Sequence, residues 1–178
     1  ARPKAPPAAS PPTAAQPPAA AQPPAVKAAV AKPATTKAAA AKPATPISTF
    51  DRREQFAYWV NFYNVLTVKT VLDHFPVNSI RDIDISPGWF ADGPWGAKQV
   101  TVEGEKIALD DIEHRILRPI WKDPRIHYVV NCASVGCPDI PPVAVTADNA
   151  EKLLNDGAAR YVNHTRGVTV DGTRIVVS

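Results

Sequence analysis

Several absences narrow the class of this protein before any motif is considered. No run of eighteen apolar residues occurs, so the sequence predicts no transmembrane segment. The only cysteines, Cys132 and Cys137, are five residues apart, which fits neither a CxxC redox motif nor a paired zinc knuckle. The chain begins at Ala1 without a methionine and without a charged, then apolar, leader. We therefore expect a processed or excerpted product, compatible with an upstream signal or anchor.

The first 49 residues lack aromatic side chains, and no acidic residue precedes Asp51. They hold twelve of the twenty prolines and consist otherwise mainly of Ala, Lys, Thr, Gln and Ser. Such a low-complexity, proline-rich segment cannot bury enough apolar surface to offset the entropy that is lost on ordering. We predict a disordered tail or linker over residues 1–49.

The charge of the tail differs from that of the rest of the chain. Six of the twenty basic residues lie in the tail, so fourteen basic and seventeen acidic residues leave the remainder at −3. Six charges spread along such a tether give only a weak electrostatic site. We expect a plain linker, with weak contact to anionic surfaces as the alternative, and no specific nucleic-acid partner.

Residues 50–178 hold every aromatic side chain and are long enough for one compact domain. Apolar residues recur at helical spacing over 51–75 on more than one face, which predicts a long buried helix capped by Ser48 or Asp51 and stopped by Pro76. The turn around Gly104 predicts a hairpin. Residues 108–118 are predicted to form a helix that ends at Pro119.

The C-terminal part of the predicted domain combines a strand, a helix and a hairpin. The β-branched run at 125–130 predicts an interior strand that leads into the loop NCASVGCP. Thr146 can cap a helix, and the dipeptide Asp171-Gly172 predicts a two-residue hairpin within 167–177. The fold class is therefore α+β: one compact domain with a long buried helix, two further helices and a small mixed or antiparallel sheet with hairpins.

The candidate chemistry lies in the loop after the predicted strand and in the helix before it. Cys132 is a candidate nucleophile, because a thiol with a nearby imidazole can form a thiolate, and His114 on the preceding helix is the candidate base. Asp110, Glu113 and His114 have the spacing of one helical face, so either carboxylate could orient the imidazole. The alternative is that these acids pair with Arg115 and Arg118 on a solvated face.

Other roles for the cysteines and amides remain open at this point. Cys132 and Cys137 could form a disulfide, contribute with His114 and His127 to a zinc site, or stay as buried thiols. Asn61 and Asn64 share a face of the long helix and must find hydrogen-bond partners if they are buried. We predict no metal and no cofactor.

Three segments resemble the bacterial branch of the domain of unknown function 547 family, in the same order and at similar spacing. They are EQFAYWVNFYNVLTVKTVLDHFPVNSIRDI, EKIALDDIEHRILRP and DPRIHYVVNCASVGCPDI, and the resemblance extends over residues 50–178. The family pattern marks a shared core of Asn61, Tyr63, Asn64, Glu113, His114, Asn131, Cys132, Ser134, Cys137 and Pro138. Family members usually continue into an aromatic segment of the KIFDWY type, so we expect the domain to be truncated at its C-terminus.

The resemblance implies an exported bacterial protein without an assigned activity. We therefore expect a periplasmic or extracytoplasmic location, with a cytoplasmic one as the alternative. Our first hypothesis is a thiol-dependent hydrolase or acyl transferase that uses Cys132, His114 and Glu113. In this hypothesis, the ligand or the oxyanion is bound by a second group of residues, namely Asn61, Tyr63, Asn64, Asn131 and Ser134. The rival is a non-catalytic module that binds a small molecule, peptide, glycan or protein partner, and whose polar cluster is structural.

Overall fold

The computed structural model describes residues 45–88 and 92–177. These residues form three α-helices, several short turns of other helix types and two antiparallel two-stranded sheets, which confirms the predicted α+β class. Most of the predicted disordered tail lies outside the described residues. Its last residues, Ile47–Thr49, form a 3-10 turn whose Ile47 is buried in the core, so this turn belongs to the packed part of the chain.

The long helix α1, Arg52–Asp73, is confirmed, and its start is fixed by local hydrogen bonds. The Asp51 side chain accepts from the backbone N–H of Arg53 and Glu54 at 2.8 and 2.9 Å, and the Glu54 carboxylate accepts from the Asp51 N–H at 2.9 Å. This reciprocal pair satisfies N–H groups that the first turn would otherwise leave without partners. The helix ends before Pro76, as predicted.

The first hairpin is confirmed, and it places one apolar residue of each strand in the core. Strand β1, Val100–Val102, pairs with β2, Glu105–Ile107, through a turn in which Gly104 has φ +93°. Glycine suits this backbone because it has no Cβ to clash at positive φ. Val102 and Ile107 are buried in the same hydrophobic cluster as residues of α1.

The helix that carries the acidic residues differs from the prediction. Asp111–Leu117 is π-helical, with the Arg118 N–H donating to the Glu113 carbonyl, and it continues directly as α2, Arg118–Trp121. The predicted stop at Pro119 was therefore wrong. Leu117 and Arg118 both have αR backbone angles, and proline fixes its own φ at a helical value, so the helical path continues through Pro119.

The predicted strand at 125–130 was also wrong. Pro124–Tyr128 form a 3-10 turn, because the Asp123 carboxylate accepts from the Arg125 N–H at 2.8 Å and Pro124 occupies the first position. Proline fixes φ at a helical value, and an aspartate before it caps the turn. Local capping thus outweighed the β-branched composition of the segment.

The remaining elements follow the predicted order. Helix α3, Ala150–Val162, begins after a turn in which Thr146 and Asn149 each accept a hydrogen bond from the backbone N–H of the other, at 3.2 and 2.7 Å. Strands β3, Val168–Asp171, and β4, Arg174–Val177, form the last hairpin. Asp171 pairs with Arg174, so the turn residues are Gly172 and Thr173, one position later than predicted. Both of these strands are largely exposed.

One hydrophobic core joins α1 to the π-helical segment, the 3-10 turn before the NCASVGCP loop and α3. Its fully buried centre consists of Val60, Leu109, Ile112, Leu117 and Ile126. No helix in the described ranges is long and apolar enough to cross a membrane. The candidate residues therefore lie on elements, and on the loop between them, that a shared core holds in place.

Candidate functional site

Asn61 and Asn64 hold two distant segments of backbone against α1. The Asn61 carboxamide donates to the Val145 carbonyl at 2.8 Å and accepts from the Val145 N–H at 2.9 Å. The Asn64 carboxamide donates to the Val129 carbonyl at 2.8 Å and accepts from the Asn131 N–H at 2.9 Å. Each side chain thus offers the donor and acceptor that a neighbouring strand would offer. The expectation that both amides need partners is confirmed.

Asn64 explains how the backbone just before the loop finds hydrogen-bond partners without belonging to a sheet. Its side chain is only 7% exposed, and it bonds the two backbone groups on either side of the buried Val130. Buried backbone groups need partners, and here a side chain provides them. The amide that we predicted to bind substrate or an oxyanion is therefore engaged in fixing the start of the loop.

The NCASVGCP loop is closed by a disulfide between Cys132 and Cys137, whose α-carbons are 6.3 Å apart. Cys137 is 4% exposed, whereas Cys132 is half-buried. The Asn131 side chain donates to the Pro138 carbonyl at 2.6 Å and accepts from the Ala133 N–H at 2.7 Å, so it spans the base of the loop. In this state Cys132 has no thiolate, and the loop is a rigid closed ring.

Contacts from other elements fix the outside of this ring. The Trp95 indole N–H donates to the Cys132 carbonyl at 3.3 Å. Arg166 reaches the carbonyls of Val135 and Cys137, at 3.4 Å each, and the Tyr161 hydroxyl donates to the Gly136 carbonyl. The tip of the loop nevertheless faces solvent, with Ser134 exposed and Val135 85% exposed.

A second polar cluster surrounds Glu113, which is 7% exposed. Its carboxylate accepts from Arg118 Nε at 3.1 Å and Nη2 at 2.6 Å, and the Tyr63 hydroxyl interacts electrostatically with the same carboxylate. The His127 Nδ1 lies 3.8 Å from the carboxylate, too far for a hydrogen bond. Part of the alternative pairing occurs, since Glu113 bonds Arg118 and Asp111 contacts Arg115 at 3.2 Å. These two carboxylates are buried rather than on a solvated face, whereas Asp110 is exposed.

The electrostatics of this cluster favour an ionised Glu113. Burial would raise the pKa of the carboxyl, but the His127 imidazole and the Arg118 guanidinium outweigh it and lower the pKa to about 2. Burial and the adjacent Glu113 carboxylate raise the pKa of the Tyr63 hydroxyl, so the tyrosine stays protonated. Glu113 is therefore a fixed negative charge with a cationic partner of its own.

His114 does not share the environment of Glu113. It is exposed, and in the described part of the chain it makes no hydrogen bond or ion-pair contact, although it lies within electrostatic reach of Glu113. We predicted one face for Asp110, Glu113 and His114 from α-helical spacing. The π-helical segment holds more residues per turn, so positions three apart, such as Asp110 and Glu113, no longer lie on one face as they would in an α-helix. Glu113 consequently points inward while His114 meets solvent.

A groove lies beside the disulfide loop and has a volume of about 350 Å³. The exposed loop residues Ala133, Ser134 and Val135 form one wall, and the end of α1 with the segment 77–81 forms the other. Trp95 lines the groove and contributes to a second cavity of about 330 Å³ that also includes Asp110. The Asp110 N–H donates to the Trp95 carbonyl at 3.0 Å, and Trp95 lines both cavities.

The predicted site residues are therefore connected through two bonded groups rather than one. Asn64, Asn131, Cys132 and Trp95 form the first group. Glu113 and Arg118 form the second, with Tyr63 and His127 near the Glu113 carboxylate, and Tyr63 is next to Asn64 on α1. No group of three or more His, Cys, Asp or Glu residues within 45–88 and 92–177 is arranged to hold a metal.

Two contributors to the loop were not predicted from the sequence. Trp95 lies in a segment rich in Gly, Pro and Trp, and the composition alone gives no indication of its bond to Cys132. Arg166 follows α3 and contacts the loop across about thirty residues of chain. In the sequence, the only indication of this role for Arg166 was its position just before the predicted C-terminal hairpin.

Comparison with known proteins agrees with this arrangement of motifs. Neither the curated proteins nor the solved structures include a match to the chain. A family model described as "Protein of unknown function, DUF547" matches residues 47–162, which cover α1, the π-helical segment, the disulfide loop and α3. The chain therefore belongs to the DUF547 family.

Proposed function

We propose that this domain is a non-catalytic binding module that takes a short peptide in the groove beside the disulfide loop. The polar residues of the family motifs act in this proposal as a structural network that holds the walls of the groove. The observation that carries the proposal is the engagement of these residues in internal bonds. Both asparagine amides bond backbone, Glu113 bonds Arg118, and Cys132 is in a disulfide.

The groove has the properties that a peptide side chain requires. Its volume of about 350 Å³ is within the usual range for ligand sites, roughly 300–1,000 Å³. Val71, Val77, Ile80 and Trp95 give it an apolar lining, and a few polar groups lie at its margin. An apolar side chain would displace water from this lining, while the polar margin would fix the orientation of the peptide backbone.

The fixed loop also favours binding over turnover. A rigid site loses little conformational entropy when a ligand binds, so preorganisation raises affinity. The disulfide and the Asn131 bonds provide that rigidity for residues 132–138. A thiol-dependent hydrolase or acyl transferase would instead require the disulfide to open and the exposed His114 to approach Cys132.

Thiol chemistry separates these two functions. In the disulfide-intact domain we expect no reaction with iodoacetamide, and after reduction we expect slow labelling of Cys132 that is the same in His114→Ala, because no imidazole activates the thiol. Peptide-mapping mass spectrometry would measure the labelling rate of each cysteine. Fast labelling of Cys132 near neutral pH that is lost in His114→Ala would support the hydrolase or acyl transferase and overturn the binding module.

The binding site can be tested with a library of random heptapeptides displayed on phage and selected against the disulfide-intact domain. Calorimetry would then compare a selected peptide on wild type, on Ser134→Arg, which fills the groove, and on Thr101→Arg, which places the same side chain on the exposed face of β1. We expect Ser134→Arg to weaken binding by about tenfold or more and Thr101→Arg to leave it unchanged. Equal affinities, or no selected peptide, would refute the groove as a peptide site.

A further inference from the structure

A further cleft lies between the C-terminal end of the NCASVGCP loop and α3. Its volume is about 170 Å³, and it is lined by Tyr128, Pro138, Asp139, Gly157, Arg160, Tyr161, His164 and Arg166. The groove described above shares none of these residues. This cleft, which we call the basic cleft, is therefore a separate candidate site.

The side chains of the basic cleft carry an excess of positive charge. Asp139 is its one acidic residue, against Arg160, Arg166 and His164. Arg166 Nη2 donates to Asp139 Oδ1 at 2.7 Å, and this bond lowers the pKa of Asp139, so the carboxylate stays ionised. One arginine is thus neutralised within the cleft, and the second arginine leaves a net charge of about +1 even with a neutral histidine.

Arg160 is the cation that remains for a ligand. Its side chain is exposed on the last turns of α3 and lies within electrostatic reach of Asp139. It makes no hydrogen bond and no ion-pair contact with any residue that the structure describes. A guanidinium in this position offers several N–H donors in the planar arrangement that matches the two oxygens of a carboxylate.

His164 adds a donor of defined orientation. Its Nδ1 accepts from the Arg166 backbone N–H at 3.0 Å. In the neutral imidazole the proton is therefore on Nε2, because one ring nitrogen donates when the other accepts. The Nε2–H provides a second donor next to Arg160 in the lining of the cleft.

Aromatic rings and a glycine give the basic cleft its shape. The rings of Tyr128 and Tyr161 lie 5.7 Å apart between centroids and both line the cleft. A Cβ on Gly157 would fall 2.4 Å from the Tyr128 carbonyl oxygen, so α3 approaches this backbone as closely as only glycine permits. The cleft of about 170 Å³ is roughly half the lower limit for drug-sized ligands, about 300 Å³, so it suits one small ring.

We propose that the basic cleft binds an acidic monosaccharide, with the sugar carboxylate on Arg160 and His164 and the ring against the two tyrosines. The arginine supplies the charge complement, and the aromatic faces supply an apolar surface for the C–H groups of the ring. This site is independent of the peptide groove. The basic cleft selects ligands that carry a carboxylate on a compact ring.

Calorimetry with glucuronate as the probe tests this site on the disulfide-intact domain at low ionic strength. Glucose removes the charge and keeps the ring, acetate removes the ring and keeps the charge, and inorganic phosphate replaces the carboxylate with a tetrahedral anion. We expect glucuronate to bind about tenfold or more tightly than glucose and acetate, because charge-assisted hydrogen bonds and ring contact each contribute. Phosphate is expected to bind more weakly than glucuronate.

The matched variants are Arg160→Gln and Arg174→Gln, since Arg174 is exposed on β4 outside the cleft. Arg160→Gln should weaken glucuronate binding by about tenfold while Arg174→Gln leaves it unchanged, with equal melting temperatures confirming that both variants are folded. Equal binding of glucose and glucuronate, equal effects of the two variants, or phosphate binding as tight as glucuronate would each overturn the proposal.

Discussion

Replacing Asn64 with alanine removes both bonds that tie the start of the disulfide loop to α1. The Val129 carbonyl and the Asn131 N–H, bonded at 2.8 and 2.9 Å, would lose their side-chain partner. The side chain is only 7% exposed, so water replaces it poorly. Each backbone group left without a partner costs about 1–3 kcal/mol, so the variant should lose about 2–6 kcal/mol of unfolding free energy.

Urea denaturation monitored by circular dichroism measures this loss, with the disulfide intact in every sample. The matched control is Asn78→Ala, because Asn78 is exposed and its side chain makes no bond within the described residues. That control should change the unfolding free energy by less than about 0.5 kcal/mol. A loss below about 1 kcal/mol for Asn64→Ala, with an unchanged denaturant slope, would refute the role of this amide as a backbone clamp.

Two further predictions concern stability. Gly157→Ala should lower the unfolding free energy measured in urea by about 1–3 kcal/mol, even though alanine favours helix. The added Cβ would lie 2.4 Å from the backbone oxygen of Tyr128. A variant as stable as wild type would contradict this packing. The pKa of Glu113 is lowered from 4.5 to about 2 in the folded state, so its stabilisation is full above pH 4.5 and is lost as the pH falls toward 2. Between about pH 5 and pH 2, the unfolding free energy of wild type should therefore fall by on the order of 3 kcal/mol more than that of Glu113→Gln. If the unfolding free energies of the two proteins change in parallel with pH, Glu113 is not paired as described.

Fold elements that depend on nearby residues were predictable. The long helix begins where Asp51 and Glu54 can cap each other, and both hairpins turn at a glycine with positive φ. These features involve residues within one or two turns of chain, so the pattern of residue types is sufficient to indicate them. The same approach failed at 125–130, where β-branched residues favoured a strand and the capping by Asp123 favoured a 3-10 turn.

The candidate site was only partly predictable for the same reason. The sequence marked the NCASVGCP loop and the buried asparagines, because polar groups in an otherwise apolar pattern need partners. It could not identify those partners, since Asn64 bonds residues 65 and 67 positions away and Asn61 bonds one 84 positions away. Such pairings depend on how helices and loops pack, which no local pattern encodes.

The sequence by itself determined the α+β class, the long capped helix, the two hairpins and the location of the loop that carries both cysteines. Only the tertiary structure decided that Cys132 is joined to Cys137, that Glu113 points inward while His114 meets solvent, and that Arg160 lies in a cleft with two tyrosines. The physical reason is that helix caps and turns are stabilised by neighbours along the chain. The environment of a side chain is set instead by every segment that packs around it.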